Sequence, residues 1–308
     1  MNELSPYAAL HIRDFRLFIS ARFCVTLAIQ IQAVVVAWQV YEITKDPLSL
    51  GLIGLAEAIP SISVSLYAGH IADTVVRKKI IIICIAILVI CSVALLFFTL
   101  EPGSFLLHYG VIPTYAVIFV SGVARGFITP ALFSFLPQLV PRALYNNAIT
   151  WNSTLWQTAS LSGAPIGGML YGFWGISVAY AADVILMIAG LLLALLVASR
   201  PLPETTLEEG TIEKIKAGLR FVFTNKIILG ALSLDLFAVL FGGAVALLPI
   251  FADTILHVGK VGLGFLRAAP GVGALLMALY LVHNPIQRSA GKKLFLSVAG
   301  FGVCMIFF

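Results

Sequence analysis

Eight stretches of this chain are each apolar for about twenty residues, the length a helix needs to cross the hydrocarbon core of a bilayer. They run Leu17–Val40, Leu50–Ile71, Ile80–Leu100, Val111–Phe135, Ile149–Phe173, Val178–Ala198, Ile227–Phe251 and Val261–Val282. A ninth starts at Leu294 and reaches Phe308, which is short for a crossing. No globular core could hide this much apolar surface from water: 60% of the residues are hydrophobic and 11% are charged, against about 25% charged in a soluble domain. The pattern predicts an all-α, polytopic membrane helical bundle with eight full spans and part of a ninth.

The cations set the expected orientation. With the N-terminus in the cytoplasm, fourteen of the 19 Lys and Arg residues fall in cytoplasmic segments, Lys45 and Lys260 face outward, and Arg22, Arg125 and Arg267 lie within spans. The net charge of +5 is therefore an orientation signal and implies no nucleic acid. Cys24, Cys84, Cys91 and Cys304 sit in apolar runs without metal-ligand spacing and read as small packing residues. His11, His70, His108, His257 and His283 are scattered near span ends. The chain contains no GxSxG, no HExxH and no GxxxxGK[ST]. No enzyme, no metal and no cofactor is expected, and ATP is excluded as the direct energy source.

The longest polar segment, Arg200 to Asn225, begins Pro-rich and acidic and then reads as a short amphipathic helix, with Ile212, Ile215, Leu219 and Val222 opposite Lys214 and Arg220. It divides a six-span half, 1–199, from an incomplete second half, 227–308, with a linker at 200–226. Lys78-Lys79 opens the third span and Lys292-Lys293 the ninth, a weak repeat of the kind found in secondary transporters.

Between the second and third spans the chain reads GHIADTVVRKK, Gly69 to Lys79. Asp73 and Arg77 are four apart and can face each other on a helical turn. With Gly69 and Lys78 they resemble the cytoplasmic signature turn of the major facilitator superfamily; Thr74 and Val76 stand where that signature has Arg and Gly. The resemblance extends over Ala124–Gly168, Leu234–Asp253 and Phe265–Leu276, which look like the enterobactin-exporter-like and drug-efflux branch. It implies a fold of two pseudo-repeated halves, the second incomplete here, and a C-terminally truncated chain. It also implies that the signature turn is a gate latch between the halves.

In the fifth span Ser160, Ala164, Gly168 and Gly172 recur every fourth residue, beside a stripe of Ala159, Gly163 and Gly167. Small residues at this spacing let helices approach closely in lipid. Pro165 removes one backbone donor. GAPIGG, Gly163 to Gly168, resembles the family's antiporter motif with its proline one residue late.

Ionisable groups inside a membrane are costly and mark function by default. Glu57 and Asp235 are the proton-coupling candidates, with Arg125 able to hold one of them ionised. Arg22 can snorkel. Arg267 and Asp183 lie nearer the outer ends of their spans, where interfacial anchoring and function are both open. Gln30, Gln32, Asn152 and Gln157 are cavity candidates; Asn152 and Gln157 lie about 140° apart on a helix and do not face one cavity equally.

The resemblance implies a secondary active transporter of the bacterial inner membrane, N-terminus cytoplasmic. It would export a siderophore or amphipathic drugs by proton antiport with alternating access. Its partners would be a small-molecule substrate and the lipid bilayer, and the expected state is a monomer. The competing expectation is a truncated remnant that inserts without transporting.

Overall fold

The computed structural model describes residues 7–100, 110–201, 220–241, 243–283 and 290–307. Nine helices of 16 residues or more are found among them: α1 (Arg13–Thr44), α2 (Pro47–Thr74), α3 (Arg77–Leu100), α4 (Ile112–Leu139), α5 (Tyr145–Trp174), α6 (Ile176–Leu196), α7 (Lys226–Phe241), α8 (Gly259–His283) and α9 (Ala290–Phe307). The linker segment read as amphipathic lies almost wholly outside the described residues.

Local chemistry sets the turns. Lys45 ends α1 in the left-handed region at φ 51°, its N–H closing on the Tyr41 carbonyl. Asp46 caps α2, its carboxylate accepting from the Leu48 N–H at 3.1 Å and from Ser49 Oγ at 3.2 Å, with Pro47 at the first helical position. α5 and α6 are joined by one residue, Gly175, at φ 90°, a conformation that a side chain resists.

Six helices among the described residues are long and apolar enough to span a membrane: α1, α2, α3, α4, α6 and α8. α5 has the length, 30 residues, and differs by the polar residues it carries, Asn152, Ser153, Gln157 and Thr158 among them. α7 and α9, at 16 and 18 residues, are about 24 and 27 Å long, less than a hydrocarbon core of about 30 Å. The apolar run Ile227–Phe251 is not one continuous α-helix among the described residues. α7 stops at Phe241, and the chain continues through a tight 3₁₀ segment, Gly243–Leu247, and a π-helical turn, Phe251–Ile255. Gly243 and Pro249 weaken an α-helix at this point: one raises its entropic cost and the other lacks an N–H.

The chain forms two compact units, Met1–Pro203 with Pro249–Gly271, and Glu204–Leu248 with Val272–Phe308. The first therefore takes in the N-terminal half of α8. In it α1 packs along α5 and α6, while α4 packs along α2 and α3. Phe15, Phe18, Ile85, Leu88, Phe135 and Met187 belong to one buried cluster. In the second unit α7 and α9 touch, and most of their described apolar side chains, Leu232, Phe237, Phe295 and Phe301 among them, are exposed.

Candidate functional site

Five helices of the first unit meet at one polar chain. On α1, Gln32 and Gln39 are seven residues apart, two helical turns, and both are buried. On α6, Tyr180 and Asp183 share a face at i, i+3. The two faces meet: the Tyr180 hydroxyl donates to Gln39 Oε1 at 2.6 Å, and Gln32 Nε2 donates to Asp183 Oδ2 at 3.3 Å. Gln32 Nε2 also reaches Ser92 Oγ of α3 at 3.3 Å. The other end of the amide, Oε1, accepts from Arg125 Nη2 of α4 at 3.5 Å, and Arg125 Nη1 pairs with Glu57 Oε1 of α2. The chain therefore runs Glu57–Arg125–Gln32–Asp183, with Ser92 beside its inner end. Asp183 is 0% exposed, and its Oδ1 has no hydrogen-bond partner.

Close approach between α2 and α4 makes the outer link possible. A Cβ on Gly122 would lie 2.5 Å from the Glu57 carbonyl oxygen, and one on Gly126 would lie 2.8 Å from that of Ser61. Only glycine lets the helices come this near, and Arg125 sits between these two positions in sequence.

Beside Arg125 is a cavity of about 480 Å³. Its walls are largely apolar, with Val25, Ile29, Ile85, Phe133 and Trp156 among them. Arg22, Thr26, Asn152 and Ser153 supply polar groups. Arg22 Nη1 donates to Asn152 Oδ1 at 2.7 Å, and its guanidinium lies 5.5 Å from the centroid of the Phe133 ring. The charged residues of the lining are Arg22, Lys78 and Arg125, all cations.

Of the four sequence-predicted cavity residues, Asn152 lines this cavity. Gln32 is buried in the polar chain instead, Gln30 donates to the Ser160 carbonyl at 3.3 Å, and Gln157 is exposed elsewhere on α5. Asp235 belongs to the second unit, where its side chain is exposed; Glu57 and Arg125 are paired in the first. The Asp73 side chain lies outside the described residues. Of its turn, Arg77 Nε donates to the Ala72 carbonyl at 3.2 Å and Lys78 Nζ to that of Leu195 at 2.9 Å. Gly69 has open space where a Cβ would go.

Asp183 and Arg267, for which anchoring and function were both open, are drawn inward by neighbouring helices: Asp183 is 0% exposed, beside Gln32 of α1 and Ser92 of α3. Arg267, also read near an interface, is partly buried and donates to the Ala33 carbonyl of α1 at 2.8 Å. A lone acid in a 21-residue helix of mean hydropathy 2.3 is the sequence signal that singles out Asp183.

The stripes of α5 serve two neighbours. Gly163 and Gly167 face α1, where a Cβ would come 3.1 Å from the Leu27 and Ile31 carbonyl oxygens. Gly168 and Gly172 face α8: a Cβ on Gly168 would lie 2.7 Å from the Lys260 carbonyl oxygen and 3.0 Å from Gly264 Cα. Pro165 follows Ala164, whose carbonyl oxygen faces Gly264.

A second charged group joins the same helices at their Lys45 end. The Tyr171 hydroxyl donates to Glu42 Oε2 at 2.7 Å, and Lys260 Nζ lies 3.6 Å from Glu42 Oε1 and 4.1 Å from the Tyr171 ring centroid. Lys45 Nζ pairs with Asp253 Oδ2 at 3.2 Å. Sequence reasoning missed this group, whose members are up to 218 residues apart, 260 minus 42.

A profile of the family described as transmembrane secretion effector matches residues 4–308. The chain is 27% identical over 223 residues to YkuC of Bacillus subtilis (strain 168), described as an uncharacterized MFS-type transporter, and the match covers 68% of this chain and 49% of YkuC. Among solved structures it resembles the POT family transporter PepTSo, with a TM-score of 0.55, 17% identity, and coverage of 96% of this chain and 57% of that one. It also resembles an auto-inhibited POT family peptide transporter, with a TM-score of 0.53, 16% identity, and coverage of 85% and 52%. The chain thus spans about half the length of these relatives. Membrane-length helices, close glycine crossings and the profile match over nearly its whole length agree: the chain belongs to the transmembrane secretion effector family of the major facilitator superfamily, transporters built as polytopic helical bundles.

Proposed function

We propose that the protein is a secondary active exporter of amphipathic small molecules, siderophores or drugs, working by proton antiport with alternating access in the bacterial inner membrane, N-terminus cytoplasmic. The observation that carries this reading is the cavity of about 480 Å³, whose apolar walls and few polar groups suit an amphipathic solute. Arg22 and Asn152 orient the solute's polar end, and Phe133 and Trp156 hold its apolar body. The energy comes from the proton gradient, through the carboxylates carried on apolar helices: Glu57, Asp235 and the buried Asp183. The signature turn of Gly69, Asp73, Arg77 and Lys78 acts as the latch.

The test is accumulation of amphipathic dyes and of a catecholate siderophore in an efflux-deficient bacterial strain, with and without the protein expressed from its own gene. Lower accumulation that is abolished by a protonophore is expected. Equal accumulation in both strains would overturn the proposal. Asp73→Asn is expected to reduce export several-fold at unchanged membrane levels, because insertion depends on the apolar spans and flanking cations, which this change leaves alone. Export equal to the parent's removes Asp73 from the latch.

A further inference from the structure

We propose that Asp183 is the proton-carrying residue of the first unit and that Gln32 passes its charge state to Arg125 at the cavity wall. This rests on the protein being a proton-driven transporter. It goes further by naming the carrier and the relay.

Three carboxylates were candidates. Glu57 is paired directly with Arg125, so its charge already has a counter-charge. Asp235 is exposed in the second unit. Asp183 is fully buried and forms no ion pair among the described residues. Its surroundings are otherwise neutral or distant. From α1 it meets Gln32 and from α3 Ser92, with the Cys91 thiol within electrostatic reach. From its own helix it feels Tyr180, which neighbours Tyr171 of α5. From α4 it feels Arg125 across the Gln32 amide. Arg267 of α8 lies within reach of Glu57.

The proton has one open place to go. Oδ1 is buried without a partner. A proton taken from water forms an O–H bond there, and the carboxylate becomes a neutral carboxyl. This changes what Asp183 asks of its neighbours. As a carboxylate it only accepts, and Gln32 satisfies it by presenting its NH₂. As a carboxyl it must also donate, and two side-chain acceptors adjoin it, Ser92 Oγ and the Gln32 amide oxygen, of which the second also bonds Arg125. The carboxyl turns about its Cβ–Cγ bond to bring the new O–H to the place of Oδ2, which Gln32 faces, and a half-turn of the Gln32 amide presents Oε1 to it and withdraws Oε1 from Arg125. The contact it gives up, at 3.5 Å, is the longest in the chain, at the limit of a hydrogen bond. Arg125 lines the cavity, so the arrival of a proton is felt where the solute binds.

The test needs no substrate. The whole protein is reconstituted in phosphatidylethanolamine–phosphatidylglycerol vesicles and titrated with pH under infrared difference spectroscopy. The carbonyl-stretch band of a buried carboxyl is expected to grow as the pH falls, to persist in Glu57→Gln and to vanish in Asp183→Asn. A band unchanged in Asp183→Asn, or no band in the parent, overturns the assignment. If Asp183→Asn does not fold, Ser92→Ala and Gln32→Leu keep the carboxylate and remove its neighbours; a midpoint unmoved in both overturns it equally. Exchanging potassium for sodium is expected to leave the midpoint in place, and a sodium-dependent shift would assign the site to a metal cation instead. A strain that shows no efflux while the band behaves as expected overturns the export reading and leaves the proton site standing. An Asp183→Asn protein that exports dye with the parental pH dependence overturns the coupling role.

Discussion

Replacing Gly168 by leucine is expected to leave a protein that inserts in the membrane but no longer holds α5 against α8 and no longer exports. A single Cβ at this position would lie 2.7 Å from the Lys260 carbonyl oxygen and 3.0 Å from Gly264 Cα. Both are backbone atoms, and neither can swing aside as a side-chain end would. Overpacking a core costs about 1–3 kcal/mol where side chains can give way, and the cost here should reach or exceed the top of that range. Gly168→Ala tests the first methyl alone and should already lower the thermal midpoint in detergent. Gly54→Ala is the control: nothing lies within 4 Å of a Cβ there, and alanine favours a helix interior over glycine by about 1 kcal/mol. Equal midpoints for Gly168→Leu and the parent would show that the α5–α8 crossing does not form.

The second large effect is expected at Arg125. Arg125→Gln removes the cation paired directly with Glu57, leaving it only the longer-range influence of Arg267, and removes the donor to Gln32 Oε1. Breaking a buried ion pair from one side costs about 3–5 kcal/mol; the Glu57 side chain is 38% exposed, which places the expected loss near the lower figure. Glu57→Gln combined with Arg125→Gln removes both charges and should recover part of the stability. The measurement is a double-mutant cycle on thermal midpoints of the purified protein, in which directly interacting residues give non-additive losses. Losses that simply add would mean that the two side chains do not interact. The proposed export should fall in both single variants, because Arg125 lines the cavity and Glu57 is its ion-pair partner.

The helices and their ends were legible because they depend on local composition. Apolar runs gave eight of the nine helices within a few residues. The small-residue stripes of α5 were legible for the same reason, since a spacing of four always falls on one side of a helix. What could not be read was depth and partnership. Asp183 sits seven residues into α6, which from sequence alone suggested the outer end of a span. Its burial is decided by Gln32 and Gln39 on a helix some 150 residues earlier. Glu57 and Arg125 were each visible as intramembrane ions, but their pairing depends on the glycines that draw α2 and α4 together. The break after Phe241 was hidden because Ile227–Phe251 stays apolar throughout, and hydropathy does not register whether a backbone remains helical.

The bare crossing of α5 on α8 also bears on kinetics. Helices that interlock through long side chains must free those side chains from their rotamers before either can turn against the other. At Gly168 and Gly264 the two backbones touch with nothing interposed, so at this point no rotamer has to be released for the crossing angle to change. The side chains that meet the opposite helix, Val261 at Gly172 and Leu161 at Gly271, lie to either side of it. Such a contact resists separation while offering little activation barrier to rotation. Along α5 a contact with both properties is specified by a few glycines.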